Sequence, residues 1–140
     1  MQMAEVLSPV VSERIWALPI SGSSVKFLNY LLYRSDFGGH LPIKQKDMAR
    51  EYRVTPQAVS NLMAPLCDLN IVLRPKNEDG GKGNSYRLHP LAAKYASAED
   101  MENSFRQAIA SIKAGDLPNL KLPSYASVPP AEGQPNLRVA

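Results

Sequence analysis

Three absences narrow the class of this 140-residue protein. Cys67 is its only cysteine, so no internal disulfide and no thiolate metal cluster can form, and a reducing cytoplasm is the expected compartment. The longest apolar stretches, such as residues 27–33, are far too short to cross a bilayer. The N-terminus has no basic segment followed by an apolar run, as a secretory signal has. We therefore expect a cytoplasmic protein without a membrane partner, associated with the nucleoid or a plasmid if it binds DNA.

Side chains that carry out catalysis are also few. His40 and His89 have no neighbour at the spacing of metal ligands or acid–base pairs, and we expect both at the surface. The glycines at 80, 81 and 83 lack the following helix and the lysine of a phosphate-binding loop. Cys67 lies among apolar residues and fits a small buried side chain better than a redox sensor. The sequence therefore predicts no catalytic residue, no metal and no cofactor.

Positive charge is concentrated in one block of the chain. Residues 1–40 are neutral overall, residues 41–94 carry a net charge of +4, and residues 95–140 carry −1. An ordinary solvated surface can show the same totals, so charge supports a polyanionic partner without establishing one.

Turn signals divide the chain into four parts. Residues 1–20, with two prolines, predict an N-terminal arm with a short irregular helix near 12–18. Residues 21–96 predict the main domain. Residues 97–115 predict a further helix, capped by Ser97 and ended by Gly115. Residues 116–140 are proline-rich without apolar periodicity and predict a disordered tail.

Apolar spacing within residues 21–96 predicts a mainly α fold with a small β-hairpin. In chain order we expect a helix over 25–35, an extended piece over 41–43, helices over 45–52 and 56–70, and strands over 71–74 and 85–88. The polar, glycine-rich residues 75–84 would join the two strands. This is the order of a winged helix-turn-helix, with an extra C-terminal helix and a disordered tail.

The most specific signal is the pair of helices over 45–52 and 56–70. Residues expected to face inward from both helices and their turn recur at the required spacing: Met48, Tyr52, Val54, Val59 and Leu62, with Ala49 and Ala58 at the crossing. Thr55 followed by Pro56 is a strong helix start, because the hydroxyl caps a free N–H group and proline suits the first helical position.

Here the chain resembles known DNA-binding families. Residues 46–62, Lys-Asp-Met-Ala-Arg-Glu-Tyr-Arg-Val-Thr-Pro-Gln-Ala-Val-Ser-Asn-Leu, resemble the motif Ala-Glu-x-x-Gly-Val-Ser-x-x-x-Val-Ser-x-x-Leu of bacterial winged-helix regulators. Residues 27–95 resemble the RepL family of plasmid replication proteins, whose wing ends in Tyr-Arg-Ile-Asn-Pro where this chain has Tyr86-Arg87-Leu88-His89-Pro90. There are two departures: Arg53 stands where glycine is usual, at a turn position where we expect a positive φ, and Pro65 lies inside the second helix.

The motif predicts which side chains contact double-stranded DNA. On the second helix, Gln57, Ser60 and Asn61 would face base edges, with Thr55 and Pro56 at the entry. Phosphate contacts would come from Gln45, Lys46 and Arg53, and wing contacts from Lys76, Lys82 and Asn84. The alternative is that these are solvated polar residues.

Three functions fit this fold. The leading hypothesis is a homodimeric, sequence-specific regulator of transcription that represses by occupying an operator. The alternatives are a plasmid or phage replication initiator that binds origin repeats and a winged helix used for protein–protein contact. The first helix and the C-terminal helix are the candidates for the dimer contact. Apolar residues of the C-terminal helix would contact either a second copy or the domain's own core: Met101, Phe105, Ile109 and Ile112. The sequence leaves open whether a small-molecule effector binds.

Overall fold

The computed structural model describes residues 5–74 and 86–122. The predicted wing loop over 75–84, with Ser85, and residues 123–140 lie outside the described residues. The elements are, in chain order, β1 (Val6–Leu7), α1 (Pro9–Ser12), a 3-10 turn (Ile15–Ala17), α2 (Gly22–Arg34), α3 (Gln45–Tyr52), α4 (Pro56–Asp68), β2 (Val72–Leu73), β3 (Arg87–Leu88), a second 3-10 turn (Pro90–Ala92), β4 (Lys94–Tyr95) and α5 (Ala98–Ala114). β2 pairs antiparallel with β3, and β1 pairs antiparallel with β4. The protein is mainly helical with a small antiparallel strand pair, which is compatible with a winged helix.

The core lies where α2, α3 and α4 meet the strand pair β2–β3. Its fully buried side chains come from all of these elements: Phe27, Leu28 and Leu31 from α2, Met48 from α3, Val59, Met63 and Leu66 from α4, and Val72 and Leu88 from the strands. Burying one such side chain contributes roughly 1.5–3 kcal/mol. The predicted inward positions of Met48 and Val59 are confirmed, and Tyr52, Val54 and Leu62 pack partly buried against the same core.

Local signals set most helix ends. Ser21, Thr55 and Ser97 each precede a helix, and each hydroxyl accepts a hydrogen bond at 3.1 Å from the backbone N–H three residues later. Each cap contributes about 1 kcal/mol. Gly115 ends α5 in the left-handed conformation, with φ of 84°. α4 passes through Pro65 and ends at Asp68, two residues before the predicted end at 70.

The N-terminal residues are part of the domain, which differs from the expected arm. Val6 pairs with Tyr95 and Leu7 with Lys94, and the irregular helix expected over 12–18 is replaced by α1 and the first 3-10 turn. Lys94 is only 7% exposed, and its ammonium nitrogen lies 3.2 Å from a Glu5 carboxylate oxygen. These contacts join segments about ninety residues apart in the chain, so local patterns could not predict them.

Residues 116–122 also pack against the domain, where the sequence predicted disorder. The Asn70 amide donates to the carbonyl of Asn119 at 2.9 Å, and the Lys121 N–H donates to the carbonyl of Leu69 at 2.9 Å. The expected surface position of His89 is wrong, because its ring is fully buried beneath this segment. Nε2 of His89 lies 2.7 Å from the carbonyl of Pro118, and Nδ1 accepts from the Leu91 N–H at 3.1 Å.

This arrangement makes stability depend on pH. Burial lowers the pKa of His89 below its usual 6.5, because a charged ring is poorly solvated there. Between that lowered pKa and 6.5 the unfolded chain binds more protons, so the free energy of unfolding falls as pH drops below 6.5. We expect the urea midpoint to fall more between pH 7.5 and 5.5 in the wild type than in His89→Gln. His40→Gln, which changes an exposed ring, should keep the wild-type loss, and an equal loss in His89→Gln would contradict this account.

Gly39 brings the loop after α2 against β3. Its φ is 109°, and a Cβ placed on it would lie 2.6 Å from the backbone oxygen of Leu88. The Leu88 N–H also donates to the Gly39 carbonyl at 2.7 Å, so neither backbone can withdraw without losing this bond.

We therefore expect Gly39→Ala to lower the free energy of unfolding by about 2–3 kcal/mol, through backbone strain and a clash with backbone. Gly22→Ala is the matched control, because a Cβ there meets nothing within 4 Å. It should be neutral or stabilise by up to about 1 kcal/mol. Urea denaturation of both variants measures the difference, and similar values for the two would refute the close approach.

Candidate nucleic-acid interface

α3 and α4 are joined by the three-residue turn that the sequence predicted. Arg53 adopts the left-handed conformation, with φ of 65° and ψ of 46°, which costs a non-glycine residue about 1–2 kcal/mol. The Val54 N–H donates to the Ala49 carbonyl at 2.9 Å and closes the end of α3. The expectation of a positive φ at Arg53 is confirmed, and its side chain is exposed at the turn.

The first turn of α4 faces solvent. Thr55 caps it through the Ala58 N–H, and Pro56 occupies the first helical position. The N-terminus of a helix carries partial positive charge and N–H groups suited to an anion. Thr55, Pro56 and Gln57 are all exposed here, so a phosphate group can approach this end of the helix.

Two amide side chains form the outer row of α4. Gln57 and Asn61 are exposed and one helical turn apart, and the Gln57 Nε2 donates to the Asn61 Oδ1 at 3.1 Å. Lys46 on α3 is exposed as well. The structure therefore presents Lys46, Arg53, Thr55, Pro56, Gln57 and Asn61 to solvent on the helix pair α3–α4.

Gln45 and Ser60 differ from these residues, because they are half-buried and the bonds of Gln45 join α3 to other elements. The Gln45 Nε2 donates to the Ser60 Oγ at 2.6 Å and to the Pro56 carbonyl at 3.3 Å. The Gln45 Oε1 accepts from the Tyr86 hydroxyl at 3.2 Å. This group, the Gln45 network, joins α3, α4 and the residue before β3. Local sequence patterns give Tyr86 no role in this group, because its partner lies 41 residues away.

The acidic residues of α3 are paired with arginines. Asp47 lies 3.4 Å from Arg50, and Glu51 lies 2.9 Å from Arg34. Glu51 also accepts from the Tyr30 hydroxyl at 2.6 Å, and burial together with this bond raises the pKa of Tyr30 to about 12. Each carboxylate therefore has a neighbouring guanidinium, which reduces its repulsion of an approaching phosphate. The predicted wing contacts Lys76, Lys82 and Asn84 lie outside the described residues.

No protein-family model matches the chain, and a search of curated proteins finds no match. Within residues 5–74 and 86–122, no helix is long and apolar enough to cross a membrane. In the same part of the chain, His, Cys, Asp and Glu side chains form no group of three that could hold a metal ion.

The Gln45 network generates a prediction about stability. Gln45→Ala removes three hydrogen bonds, two of which are partly buried, and we expect it to lower the free energy of unfolding by about 1–2 kcal/mol. Lys46→Ala is the matched control on the next, exposed residue and should change stability by less than about 0.5 kcal/mol. Thermal or urea unfolding of both variants provides the test. Equal stabilities would show that the network does not hold α3 to α4.

Proposed function

We propose that this protein is a sequence-specific regulator of transcription that binds double-stranded DNA with α4 in the major groove. The observation that carries the proposal is the pair α3–α4, which packs its apolar side into the core and presents Gln57 and Asn61 outward beside two exposed cations. A helix fits the major groove, and amide side chains can pair with both polar atoms of an adenine edge.

The contacts divide by chemistry. Gln57 and Asn61 would exchange their mutual hydrogen bond for base edges and supply sequence preference. Lys46, Arg53 and the first turn of α4 would bind phosphates and fix orientation. Gln45 and Ser60 would position α4 relative to β3 rather than contact DNA, because they are half-buried and the bonds of Gln45 join α3 to α4 and to Tyr86.

We further propose that the protein binds as a homodimer and represses by occupying a nearly palindromic operator, with half-sites about 34 Å apart. On α5, Met101 and Phe105 pack against the protein's own core, and Ile109 is 45% exposed. On α2, Tyr33 is 76% exposed. The end of α2 is therefore a better candidate for the dimer contact than the apolar row of α5.

A replication initiator is the second candidate. The observation that favours it is the resemblance of residues 27–95 to RepL proteins. This range includes β3 and the residues that flank it. Such a protein would use the same groove contacts at origin repeats. The DNA sequences that the protein selects decide between an operator and an origin.

Selection of bound duplexes from a random library and from fragmented genomic DNA tests the proposal. We expect one preferred sequence, and we expect Gln57→Ala and Asn61→Ala each to weaken it by about 1–3 kcal/mol and relax preference at one base pair. Asn103→Ala, which removes an exposed amide from α5, should leave binding unchanged. Weak binding to every duplex, unaffected by Gln57→Ala and Asn61→Ala, would contradict DNA recognition and favour a protein partner.

Arg53→Gly distinguishes a role in phosphate binding from a role in folding, because we expect it to change DNA affinity and stability in opposite directions. Glycine relieves the left-handed strain at this position, so we expect the free energy of unfolding to rise by about 1 kcal/mol. DNA affinity should fall for all sequences alike, and the slope of log affinity against log salt should decrease in magnitude by about 1. An unchanged slope would show that Arg53 does not contact phosphate.

A further inference from the structure

A concave site lies away from the candidate interface, between the strand pair β2–β3 and α5. It is a cavity of about 860 Å³, bounded at one end by residues 116–118 and reached by Cys67 and Asn70 from the C-terminal end of α4. Its volume lies in the range of small-molecule sites in proteins. None of the described residues assigned to DNA contact lines it.

One wall of the cavity is a polar stripe on α5. Ser104, Gln107 and Ser111 are spaced three and four residues apart, which places them on the same side of the helix. The rest of the lining includes the apolar side chains of Leu73, Leu117 and Pro118, together with charged groups. The site therefore offers hydrogen-bond donors beside hydrocarbon, as sites for amphipathic small molecules do.

The charge comes from Arg74 and Arg87 on the strand pair. Leu73 pairs with Arg87, so Arg74 at the end of β2 is close to the same edge of the cavity. Neither guanidinium forms an ion pair with a carboxylate of residues 5–74 or 86–122. Asp116 is the one carboxylate among the described lining residues, so the charged groups of the lining sum to +1.

Both guanidinium groups act on groups that line the cavity. Burial raises the pKa of the Cys67 thiol, and the charge of Arg74 opposes this rise. Burial likewise raises the pKa of Tyr95, and a hydrogen bond from Ser104 and the charge of Arg87 oppose it.

We propose that this cavity binds a small organic monoanion, a carboxylate with a compact hydrocarbon body. A guanidinium donates two parallel hydrogen bonds to a carboxylate, and the apolar wall covers the body of the ligand. The net charge of +1 favours a single negative charge, because the Asp116 carboxylate opposes a second one.

The site has a consequence for DNA binding, and this consequence rests on the proposed function. The cavity touches both the end of α4 and the strands that lead to residues 75–85. A ligand that binds there changes how α4 and the strand pair are held relative to one another. DNA affinity is then coupled to ligand binding, and the coupling is reciprocal.

The test uses the full-length protein and 1-naphthoate as the probe, with 1-naphthalenemethanol as its neutral match and 1-naphthyl phosphate as a dianion. We expect titration calorimetry to show the naphthoate binding at least tenfold more tightly than either match. Cys67 is the only cysteine in the chain and lines the cavity, so its alkylation by iodoacetamide should slow at least threefold when the naphthoate is bound. Absence of binding, equal binding of the alcohol or tighter binding of the phosphate would overturn the proposal.

Variants locate the binding site. Arg74→Gln and Arg87→Gln should each weaken naphthoate binding about tenfold, and Ser111→Trp should also weaken it, because the indole would occupy part of the cavity. Arg106→Gln is the matched control, because this exposed guanidinium on α5 bonds to Asn103 and does not line the cavity. If Arg106→Gln weakens binding as much as Arg87→Gln, the proposed site is wrong. Because Arg87 also contacts the Gly38 carbonyl at 3.5 Å, circular dichroism should confirm that each variant folds.

DNA binding measured on the same preparations separates the two proposals. Naphthoate binding and Cys67 protection without a preferred duplex would support the cavity site and contradict the proposed function. A preferred duplex without naphthoate binding would support the function and contradict the cavity site.

Discussion

The burial of the inner face of α4 is the interaction on which the rest of the structure depends. Val59, Met63 and Leu66 are buried along this face, and the Ser24 hydroxyl of α2 donates to the Leu62 carbonyl of the same helix at 3.3 Å. Because side chains one turn apart share a helix face, fixing this row inward also fixes Gln57 and Asn61 outward. The exposed row of the candidate interface is thus a consequence of core packing.

Polar contacts then restrict what apolar packing leaves free. Apolar burial has no direction, so it allows α4 to slide or turn by small amounts against its neighbours. The Gln45 network adds directional bonds from α3 to the first turn of α4 and to Tyr86 beside β3. These bonds bear on the first half of α4, which is the half that carries Gln57 and Asn61. The polar residues closest to the exposed row therefore serve its orientation.

The sequence was sufficient for features that depend on near neighbours. The bounds of α3, the caps at Thr55 and Ser97, and the left-handed Arg53 each follow from residues within one or two turns. Features that depend on distant contacts were missed. The burial of His89 requires residues 116–122, and the place of residues 5–12 requires Lys94 and Leu91. Tyr86 belongs to the same class, because its side-chain partner is on α3. Periodicity and turn signals do not encode such pairings.

Pro65 divides α4 into two halves with different surroundings. Proline has no N–H group, so the helical bond that would reach the Asn61 carbonyl is missing, and the helix is held there by its neighbours more than by its own backbone. The half before Pro65 carries the exposed amides and receives the Gln45 network. The half after it carries Leu66 in the core and Cys67 at the cavity. A helix with a missing backbone bond between two sites resists bending less at that point than elsewhere. Pro65 is thus the place on α4 where a change at the cavity end would most readily alter the angle of the exposed row.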